Sequence, residues 1–312
     1  MSKTTLIVIC GGVISALASM LILTGSPGVM LFVYLSPLPL LLVGLSLGTT
    51  AAALAGANGF IVATMLGGVM AASIYAIAHA IPAWLVVRQA LRQTTAAGGG
   101  VTWYPAGSIL CWLVLLGASV FLFAAIINTG GADGLEVLVG EYLNGIFASM
   151  APALPEADRR MMAQMIAPLF PGVAAISWVL MTVLNAVFAQ SILVKGGRNL
   201  RPTPSFKDLD MPDWISWLLV GSALAALLGG GEIEYIARNL AMIMATPFFF
   251  LGLAVVHGLA GLVTFPGVLL SAFYLVLFFS SWALLAVAGL GVVEQWIGLR
   301  RRFAGFGPKV GE

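Results

Sequence analysis

Long apolar segments follow one another along this chain with little polar sequence between them. They cover residues 6–23, 29–47, 49–66, 68–88, 104–128, 169–194, 214–230, 237–260 and 266–290. Most approach or exceed the roughly 20 residues with which a helix crosses hydrocarbon. Charged residues make up 8% of the chain, whereas about a quarter is usual in soluble domains. The sequence therefore predicts an all-α fold: a polytopic bundle of about eight (eight or nine) transmembrane helices with an amphipathic external loop.

Three parts of different character organise the chain. Residues 1–128 are predicted to form an N-terminal membrane bundle, residues 129–168 an external amphipathic loop, and residues 169–312 the C-terminal membrane helices with a cytoplasmic tail. The start, "MSKTTLIVICGGVISALASMLIL", has the outline of a signal peptide. Because its apolar run continues to Leu23, we favour an uncleaved first helix over a cleaved signal.

Basic residues predict the side of the membrane on which each loop lies, because Lys and Arg are enriched in cytoplasmic loops. Lys3 places the N-terminus in the cytoplasm, and four crossings return the chain there at residues 88–92. The acidic loop 129–168 then lies outside, and residues 195–213 lie inside. Three further crossings would put the basic run 300–302 outside. We therefore expect that one C-terminal segment does not cross and that the C-terminus is cytoplasmic.

The acidic loop has the periodicity of amphipathic helices. Its apolar residues recur at spacings of three and four: Leu135, Leu138, Val139, Tyr142, Ile146 and Met150. A second stretch, "PEADRRMMAQMIAPLF", begins with acidic residues, which suit the first turn of a helix. Such helices lie at the membrane interface. Two interpretations stay open, static struts or a lid over an outward-facing cavity.

A proline pair interrupts the second apolar segment, "VYLSPLPLLL". Pro37 cannot donate a hydrogen bond to the carbonyl of Val33, and Pro39 cannot donate to that of Leu35. Carbonyls freed in this way are tolerated only inside protein or beside a wet cavity, and broken helices supply ligand sites in transporters. We expect Ser36 to satisfy one of them. The segment is either a simple kink or part of a binding site.

Small residues at four-residue spacing mark helix faces that can pack closely. They are Gly11, Ser15 and Ser19 in the first segment and Gly68, Ala72 and Ala76 in the fourth. These stripes predict packing inside the bundle, or docking of a partner membrane protein by the first stripe.

Polar side chains within the apolar segments are few: Asn58, Tyr75, His79, Asn185, Gln190 and Asn239. Each should face the bundle interior, where it forms interhelical hydrogen bonds or lines a pocket for a small ligand. Tyr75 and His79 are four residues apart and share a helix face. The candidate ligand-binding residues are Ser36, Pro37, Pro39, Asn58, Tyr75 and His79.

Catalytic and metal-binding patterns are missing from the sequence. It has no GxSxG, HExxH or GxxxxGK[ST] motif, and Cys10 and Cys111 are isolated within apolar runs. We therefore expect no enzyme activity, no catalytic residue, no metal and no cofactor. We expect no nucleic-acid partner either, because no basic stripe is present. Any ATP-driven work would need a separate subunit.

Three stretches together resemble a known family: "YLSPLPLLLVGLSLG" (34–48), "EYIARNLAMIMATPFFFLGLAVVH" (234–257) and "GLGVVEQWIGLRRRF" (289–303). Their proline pair, Asn-Leu helix start, "GLA" step and closing Trp with its Arg run are similar to the bacterial YybS-like membrane proteins of unknown function. That family is distantly similar to the S components of energy-coupling-factor vitamin transporters. The resemblance implies a helical bundle that binds a small molecule and docks a membrane coupling protein.

Small-molecule binding or transport is the function that these patterns favour, with capture near the broken second segment and gating by the external helices. The alternative is a non-catalytic scaffold or assembly factor that docks other membrane proteins. The expected partners are the lipid bilayer, a small-molecule ligand, and a membrane coupling protein or a second copy of the chain. The expected location is a bacterial inner membrane.

Overall fold

Helices make up nearly all of the regular structure. The computed structural model describes residues 2–24, 27–95, 99–129, 134–261 and 263–303. The helices are α1 (Lys3–Met20), α2 (Met30–Tyr34), α3 (Pro37–Leu47), α4 (Thr49–Tyr75), α5 (Ile81–Ala90), α6 (Ala106–Asn128), α7 (Leu135–Met150), α8 (Glu156–Ile166), α9 (Phe170–Lys195), α10 (Trp214–Leu228), α11 (Glu232–Ala260), α12 (Pro266–Phe279), α13 (Ser281–Ile297) and α14 (Leu299–Phe303). A π-helical turn, Ala76–Ala80, joins α4 to α5. One small antiparallel pair, β1 (Gln93–Thr95) and β2 (Val101–Trp103), occupies the predicted polar link.

The predicted class, a polytopic helical membrane protein, is confirmed. Within the described residues, six helical stretches are long and apolar enough to cross a membrane, and a bent pair makes seven if it counts as one span. The six are Lys3–Met20, Met30–Leu47, Thr49–Ala90, Ala106–Asn128, Phe170–Lys195 and Glu232–Ala260. The exact number of crossings stays a prediction.

The longest of these stretches, Thr49–Ala90, folds back on itself at Gly68. Gly68 has a φ of +75°, a conformation that glycine adopts without strain. Residues on either side of it then meet. A Cβ on Gly56 would lie 3.2 Å from the Cβ of Ala80, although a straight helix would separate these residues by about 36 Å. The stretch is therefore a hairpin of two arms, each about 20 residues long, as the two apolar segments 49–66 and 68–88 predict.

The last apolar segment is bent rather than straight. The axes of α12 and α13 differ by 118°, and the Ser280 side chain accepts a hydrogen bond from the N–H of Ala283 to begin α13. Both ends of the pair lie near Lys207: its Nζ is 3.6 Å from a Cβ position on Gly261, and its carbonyl accepts from Arg300. The chain thus enters and leaves this pair at the same end of α11. That one C-terminal segment does not cross the membrane stays a prediction.

Two compact units divide the described structure, and neither is a continuous piece of chain. Unit 1 contains residues 1–105, 146–155 and 177–203. Unit 2 contains residues 106–145, 156–176 and 204–312. The three-part division into residues 1–128, 129–168 and 169–312 stays a prediction about domains.

Close helix contacts in unit 1 depend on small residues. A Cβ on Gly11 would lie 2.6 Å from Val43 of α3, and one on Gly12 would overlap the carbonyl oxygen of Ala55 in α4. The missing side chains let α1 lie directly against α3 and α4, the contact that stabilises helix pairs in lipid.

Glycines also set the main contact of unit 2, between α11 and α13. A Cβ on Gly252 would overlap the carbonyl oxygen of Val287, and one on Gly291 would overlap that of Phe248. Phe248 and Gly252 are four residues apart in α11, and Val287 and Gly291 are four residues apart in α13. One turn of each helix backbone therefore lies against one turn of the other. Phe248 and Leu251 of α11 are among the largest fully buried side chains of unit 2.

The polar stretch 195–213 is anchored separately in each unit. In unit 1, the buried Arg201 donates to the Ala90 carbonyl at 3.1 Å, and burial lowers the pKa of its guanidinium group. In unit 2, Arg300 forms a 2.7 Å ion pair with the buried Glu294 and donates to the carbonyl of Leu209. These contacts fix the backbone on both sides of Pro204.

Candidate functional site

The proline pair leaves one main-chain oxygen for another helix to bind. Leu38, which lies between Pro37 and Pro39, donates its N–H three residues back rather than four. The carbonyl of Tyr34, which Leu38 would bind in a regular helix, therefore lacks that donor. It accepts instead from Nδ2 of Asn185 on α9, at 2.7 Å. A carbonyl at membrane depth needs such a partner, so Asn185 stabilises the break.

A second proline break, at Pro82, is stabilised by the same helix. Pro82 cannot donate to the carbonyl of Ala78, which accepts from Nε1 of Trp178 at 2.8 Å. The N–H of Ile81 reaches five residues back, which makes this turn π-helical. Trp178 and Asn185 are seven residues apart, about two turns of helix. One face of α9 thus carries the donors for both breaks.

Ser36 and Tyr75, two of the predicted ligand residues, meet at Ser15. Ser36 Oγ donates to the Ser15 carbonyl at 2.9 Å, and the Tyr75 hydroxyl donates to Ser15 Oγ at 3.0 Å. All three residues are fully buried. A Cβ on Gly59 would overlap the Tyr75 hydroxyl, so this glycine makes room for it. The expectation that Ser36 satisfies a carbonyl freed by the prolines is wrong, because its one hydroxyl hydrogen is used on α1.

His79 follows Tyr75 by one turn, and their ring centroids are 5.9 Å apart. The side chain is buried, yet its Nδ1 has no hydrogen-bond partner among the described residues. Asn185 Oδ1 is also buried without a hydrogen-bond partner among the described residues. In the described part of unit 1, these two atoms are the buried side-chain nitrogen and oxygen atoms that have no hydrogen-bond partner.

Asn58 and the two prolines lie apart from the Ser15 contacts. Asn58 is half-buried, and its Nδ2 donates to the carbonyl of Leu54 in its own helix at 2.9 Å. Pro37 is buried and Pro39 is half-buried within the break itself. A ligand-binding role for the six predicted residues stays a prediction.

The stripes of small residues have different surroundings. Gly11, Ser15 and Ser19 are all buried, with Gly11 against α3 and Ser15 bonded to Tyr75. Gly68 is exposed at the reversal, because its backbone conformation is used to turn the chain. Its stripe continues with the buried Ala72 and the half-buried Ala76. The first stripe is therefore used inside this chain, and partner docking by it stays a prediction.

A cleft of about 450 Å³ lies between α7 and α8 in unit 2. Its lining is Glu136, Val137, Gly140, Glu141 and Asn144 from α7, and Arg160, Ala163, Gln164 and Ala167 from α8 and its end. Within each helix, the lining residues follow one another at spacings of three and four, so they lie on one helix face. The two helices approach closely at Gly140, where a Cβ would lie 3.8 Å from that of Ala167.

The apolar faces of these two helices point away from the cleft. On α7, Leu138 is 47% exposed and Tyr142 is 64% exposed; on α8, Met165 is 71% exposed. A soluble protein would turn such faces toward its core. Helices embedded in the membrane interface turn them toward lipid, which leaves their polar faces to line the cleft.

The charges around the cleft are unevenly paired. Arg160 forms a 2.7 Å ion pair with Glu156, and Glu136 lies 3.6 Å from Arg238 of α11. Among the described residues, Glu141 forms no ion pair. Asn144 Oδ1 is shielded from solvent and has no hydrogen-bond partner in the same part of the chain. The cleft lining therefore contains one unpaired carboxylate, whereas the unpartnered amide oxygen of Asn144 is shielded from the cleft as well.

The N-terminal end of α11 holds the cleft helices in place. Glu232 accepts from the N–H of Leu135 at 3.2 Å, which places a carboxylate at the positive end of α7. The Tyr235 hydroxyl donates to the carbonyl of Ala167 at 3.1 Å, just after α8. Asn239 Oδ1 accepts from the N–H of Gly172 at 2.8 Å, in the first turn of α9. Both walls of the cleft are thus fixed to one long membrane helix.

Sequence reasoning found the amphipathic helices but not the cleft. The apolar periodicity identified their outward faces, whereas the lining depends on the pairing of two polar faces. A usable signal was present, because Gly140, Ala163 and Ala167 are small residues at helical spacing on those polar faces. Pro82 was likewise a readable signal for the second break.

The chain was also compared with known proteins. No curated protein and no solved structure matches it. Residues 13–294 match the family described as predicted membrane protein (DUF2232). That match spans most of the chain and most of both units. The chain therefore belongs to the DUF2232 family of predicted membrane proteins.

Proposed function

We propose that this membrane protein binds a small molecule, as the binding component of a transporter does, and that the α7–α8 cleft holds it. The observation that carries the proposal is the cleft itself, about 450 Å³ in volume and lined by the polar faces of two helices. Ligand sites occupy about 300–1,000 Å³ and combine apolar walls with a few placed polar groups. Val137 and the alanines of α8 provide such walls.

The charge distribution of unit 2 supports an outward-facing cleft in a bacterial inner membrane. Glu232 and Glu136 lie at one end of α11, and Lys207 and Arg300 lie at the other. Basic residues favour the cytoplasmic side, so α7 and α8 would face outward and both termini would lie in the cytoplasm. This places capture at the outer interface, not at the proline pair in mid-membrane. The resemblance to YybS-like proteins and S components is in keeping with such a role.

Binding is tested by thermal unfolding of the purified protein against a panel of vitamins, amines, sugars and lipids. Gln164→Trp places a bulky side chain in the cleft from an exposed position, whereas Met165→Trp places the same side chain on the adjacent outward face. The proposal expects at least one compound to raise the unfolding temperature of the parent and of Met165→Trp, but not that of Gln164→Trp. Equal stabilisation of all three proteins, or none, would contradict it.

A scaffold role is the second candidate, and α12 is the observation that favours it. None of the α12 side chains in the described structure is buried, and Phe278 and Phe279 are 84% and 78% exposed. A photo-crosslinking residue at position 278 tests this role, with position 227 of α10, which is 78% exposed in the parent, as control. A stoichiometric protein adduct formed at 278 alone would favour a scaffold. Lipid adducts at both positions would argue against one.

A further inference from the structure

We infer that Arg201 and Arg92 bind the phosphate group of an anionic molecule at the end of unit 1 where α5 ends. The site shares no residue with the α7–α8 cleft. Charge is distributed very unevenly between the two units. Unit 1 contains no Asp or Glu, because all twelve acidic residues of the chain lie in unit 2. The Lys and Arg residues of unit 1 are Lys3, Arg88, Arg92, Lys195, Arg198 and Arg201.

Arg201 is a buried cation without a counter-ion. The residue is 7% exposed, and its Nη1 donates to the Ala90 carbonyl at 3.1 Å. No ion pair among the described residues includes it. Buried charges in proteins are ordinarily paired. The preference of basic residues for the cytoplasmic side explains exposed Lys and Arg, but it gives no reason to bury one of them.

The unused donors of Arg201 are within reach of a ligand. A guanidinium group has five N–H bonds, and Nε and Nη2 of Arg201 have no acceptor in the described part of the chain. Neither atom is shielded from solvent. An anion that approaches from outside the protein can therefore accept hydrogen bonds from both.

Arg92 is anchored next to the same point of the backbone. Its Nη1 donates to Gln89 Oε1 at 3.0 Å, whereas Arg201 donates to the carbonyl of the following residue, Ala90. Arg92 is exposed and, like Arg201, is in no ion pair with a described residue. Its long side chain can thus adjust to an anion held by Arg201. The two positive charges repel each other, and a shared anion would offset that repulsion.

Aromatic rings support both guanidinium groups. Cζ of Arg92 lies 5.4 Å from the ring centroid of Tyr104, and Cζ of Arg201 lies 5.9 Å from that of Trp103. Such stacking covers a flat face of the guanidinium group and leaves the N–H bonds at its edge to other partners. Side chains positioned before a ligand arrives lose less entropy when it binds.

Phosphate is the anion that suits two such groups. The guanidinium fork binds phosphate and carboxylate oxygens in pairs. A carboxylate has two oxygens in one plane, whereas the oxygens of phosphate point in several directions, so two guanidinium groups can bind it from different sides. Two sources carry this group: the headgroup of an anionic lipid and a soluble phosphate ester. Basic pockets between membrane helices are known to bind lipid headgroups.

Native mass spectrometry of the full chain in detergent counts bound lipids and measures their affinity. The probes are phosphatidylglycerol and phosphatidylcholine with the same acyl chains. The charge of the second phosphate is offset by the ammonium group of choline. We expect the first molecule of phosphatidylglycerol to bind at least about tenfold more tightly, since hydrogen bonds to an uncompensated charge are worth that much. Equal affinities for the two lipids would overturn the inference.

Soluble competitors identify the source of the phosphate. Glycerol 3-phosphate has the phosphate without acyl chains, and glycerate has a carboxylate on a similar body. Displacement of phosphatidylglycerol by submillimolar glycerol 3-phosphate assigns the site to a soluble phosphate ester, and no displacement assigns it to a lipid headgroup. Displacement by glycerate at the same concentration would show that phosphate is not what the site recognises.

Variants locate the site. Arg201→Gln should weaken the binding of phosphatidylglycerol about tenfold, and Arg92→Gln about fivefold. Arg201→Lys keeps the charge without the fork and should weaken binding several-fold, which preserves the test if Arg201→Gln does not fold. Arg198→Gln removes an equal charge from an exposed position of unit 1 and should change the affinity by less than about twofold. Equal losses in Arg92→Gln and Arg198→Gln, or unchanged affinity in Arg201→Lys, would mean diffuse attraction to a basic surface, and the inference would be wrong.

Discussion

Unit 1 and the α7–α8 pair of unit 2 use their polar side chains in opposite ways. In unit 1, Asn185, Trp178 and Ser36 are directed at main-chain oxygens of neighbouring helices. In the cleft of unit 2, Glu141 and Asn144 bind no group of the described protein. In the first arrangement, Asn185 and Trp178 bind carbonyls that proline leaves without their helical donor, and removal of these contacts should lower stability. The second makes no contact that stabilises the described fold, and removal of the Glu141 carboxylate should lower only binding.

The largest expected effect is on the stability of unit 1. Gly59→Ala forces a methyl group into the position of the Tyr75 hydroxyl, which must then leave Ser15. We expect the free energy of unfolding to fall by about 2–3 kcal/mol, as for other overpacked cores. Thermal unfolding in detergent measures it. Gly221→Ala, where a Cβ meets nothing within 4 Å, is the control and should not destabilise the protein.

Asn185→Leu comes next, because it leaves the Tyr34 carbonyl buried without a donor. The expected loss is about 2 kcal/mol, the penalty of an unsatisfied buried polar group. The same unfolding assay serves, with Asn58→Leu as the matched variant. Asn58 forms its hydrogen bond only within its own helix, so Asn58→Leu should lower the free energy of unfolding by less than about 0.5 kcal/mol. If both variants lose equal stability, the repair of the break by α9 is disproved.

Trp178→Phe keeps an aromatic ring and removes the indole donor to Ala78. We expect a loss of about 1 kcal/mol, within the range for interhelical hydrogen bonds in membranes. A double variant with Asn185→Leu sharpens the comparison, since two breaks stabilised independently should give additive losses. A marked departure from additivity would mean that the two breaks respond as one element.

Asn144→Leu should have the smallest effect on stability, and its sign separates the two regions. The change removes a buried oxygen that has no partner, so unfolding should shift by less than about 0.5 kcal/mol, or toward higher stability. A loss of stability as large as that of Asn185→Leu would show that Asn144 has a structural role.

The sequence predicted local features well, because local chemistry determines them. Apolar segments of spanning length, the break at the proline pair, and the shared face of Tyr75 and His79 all follow from residues within a few turns of each other. The donor to Tyr34 could not be predicted, because Asn185 lies in another helix and periodicity does not identify which helices pack together. Asn185 and Asn239 were recognised as polar groups facing the interior, but their acceptors were not.

The C-terminal bend shows a different limit. No proline lies near Ser280, so the apolar stretch 266–290 reads as one helix. The signal was instead a serine able to cap a new helix, a weak pattern within an apolar run. The cleft was hidden for a related reason. Its lining residues are ordinary on each helix, and only their pairing creates a cavity.

The single-residue reversal at Gly68 has a consequence for how the chain reaches the membrane. Between Lys3 and Arg88 the sequence has no Asp, Glu, Lys or Arg. The membrane-insertion machinery therefore receives a long segment whose orienting charges, Lys3 and Arg88, lie at its two ends. A lysine introduced beside Gly68 would add a third positive charge, one crossing away from Arg88. Because positive charges favour the cytoplasmic side, it would oppose the orientation that Lys3 and Arg88 favour and could invert the insertion of the whole hairpin.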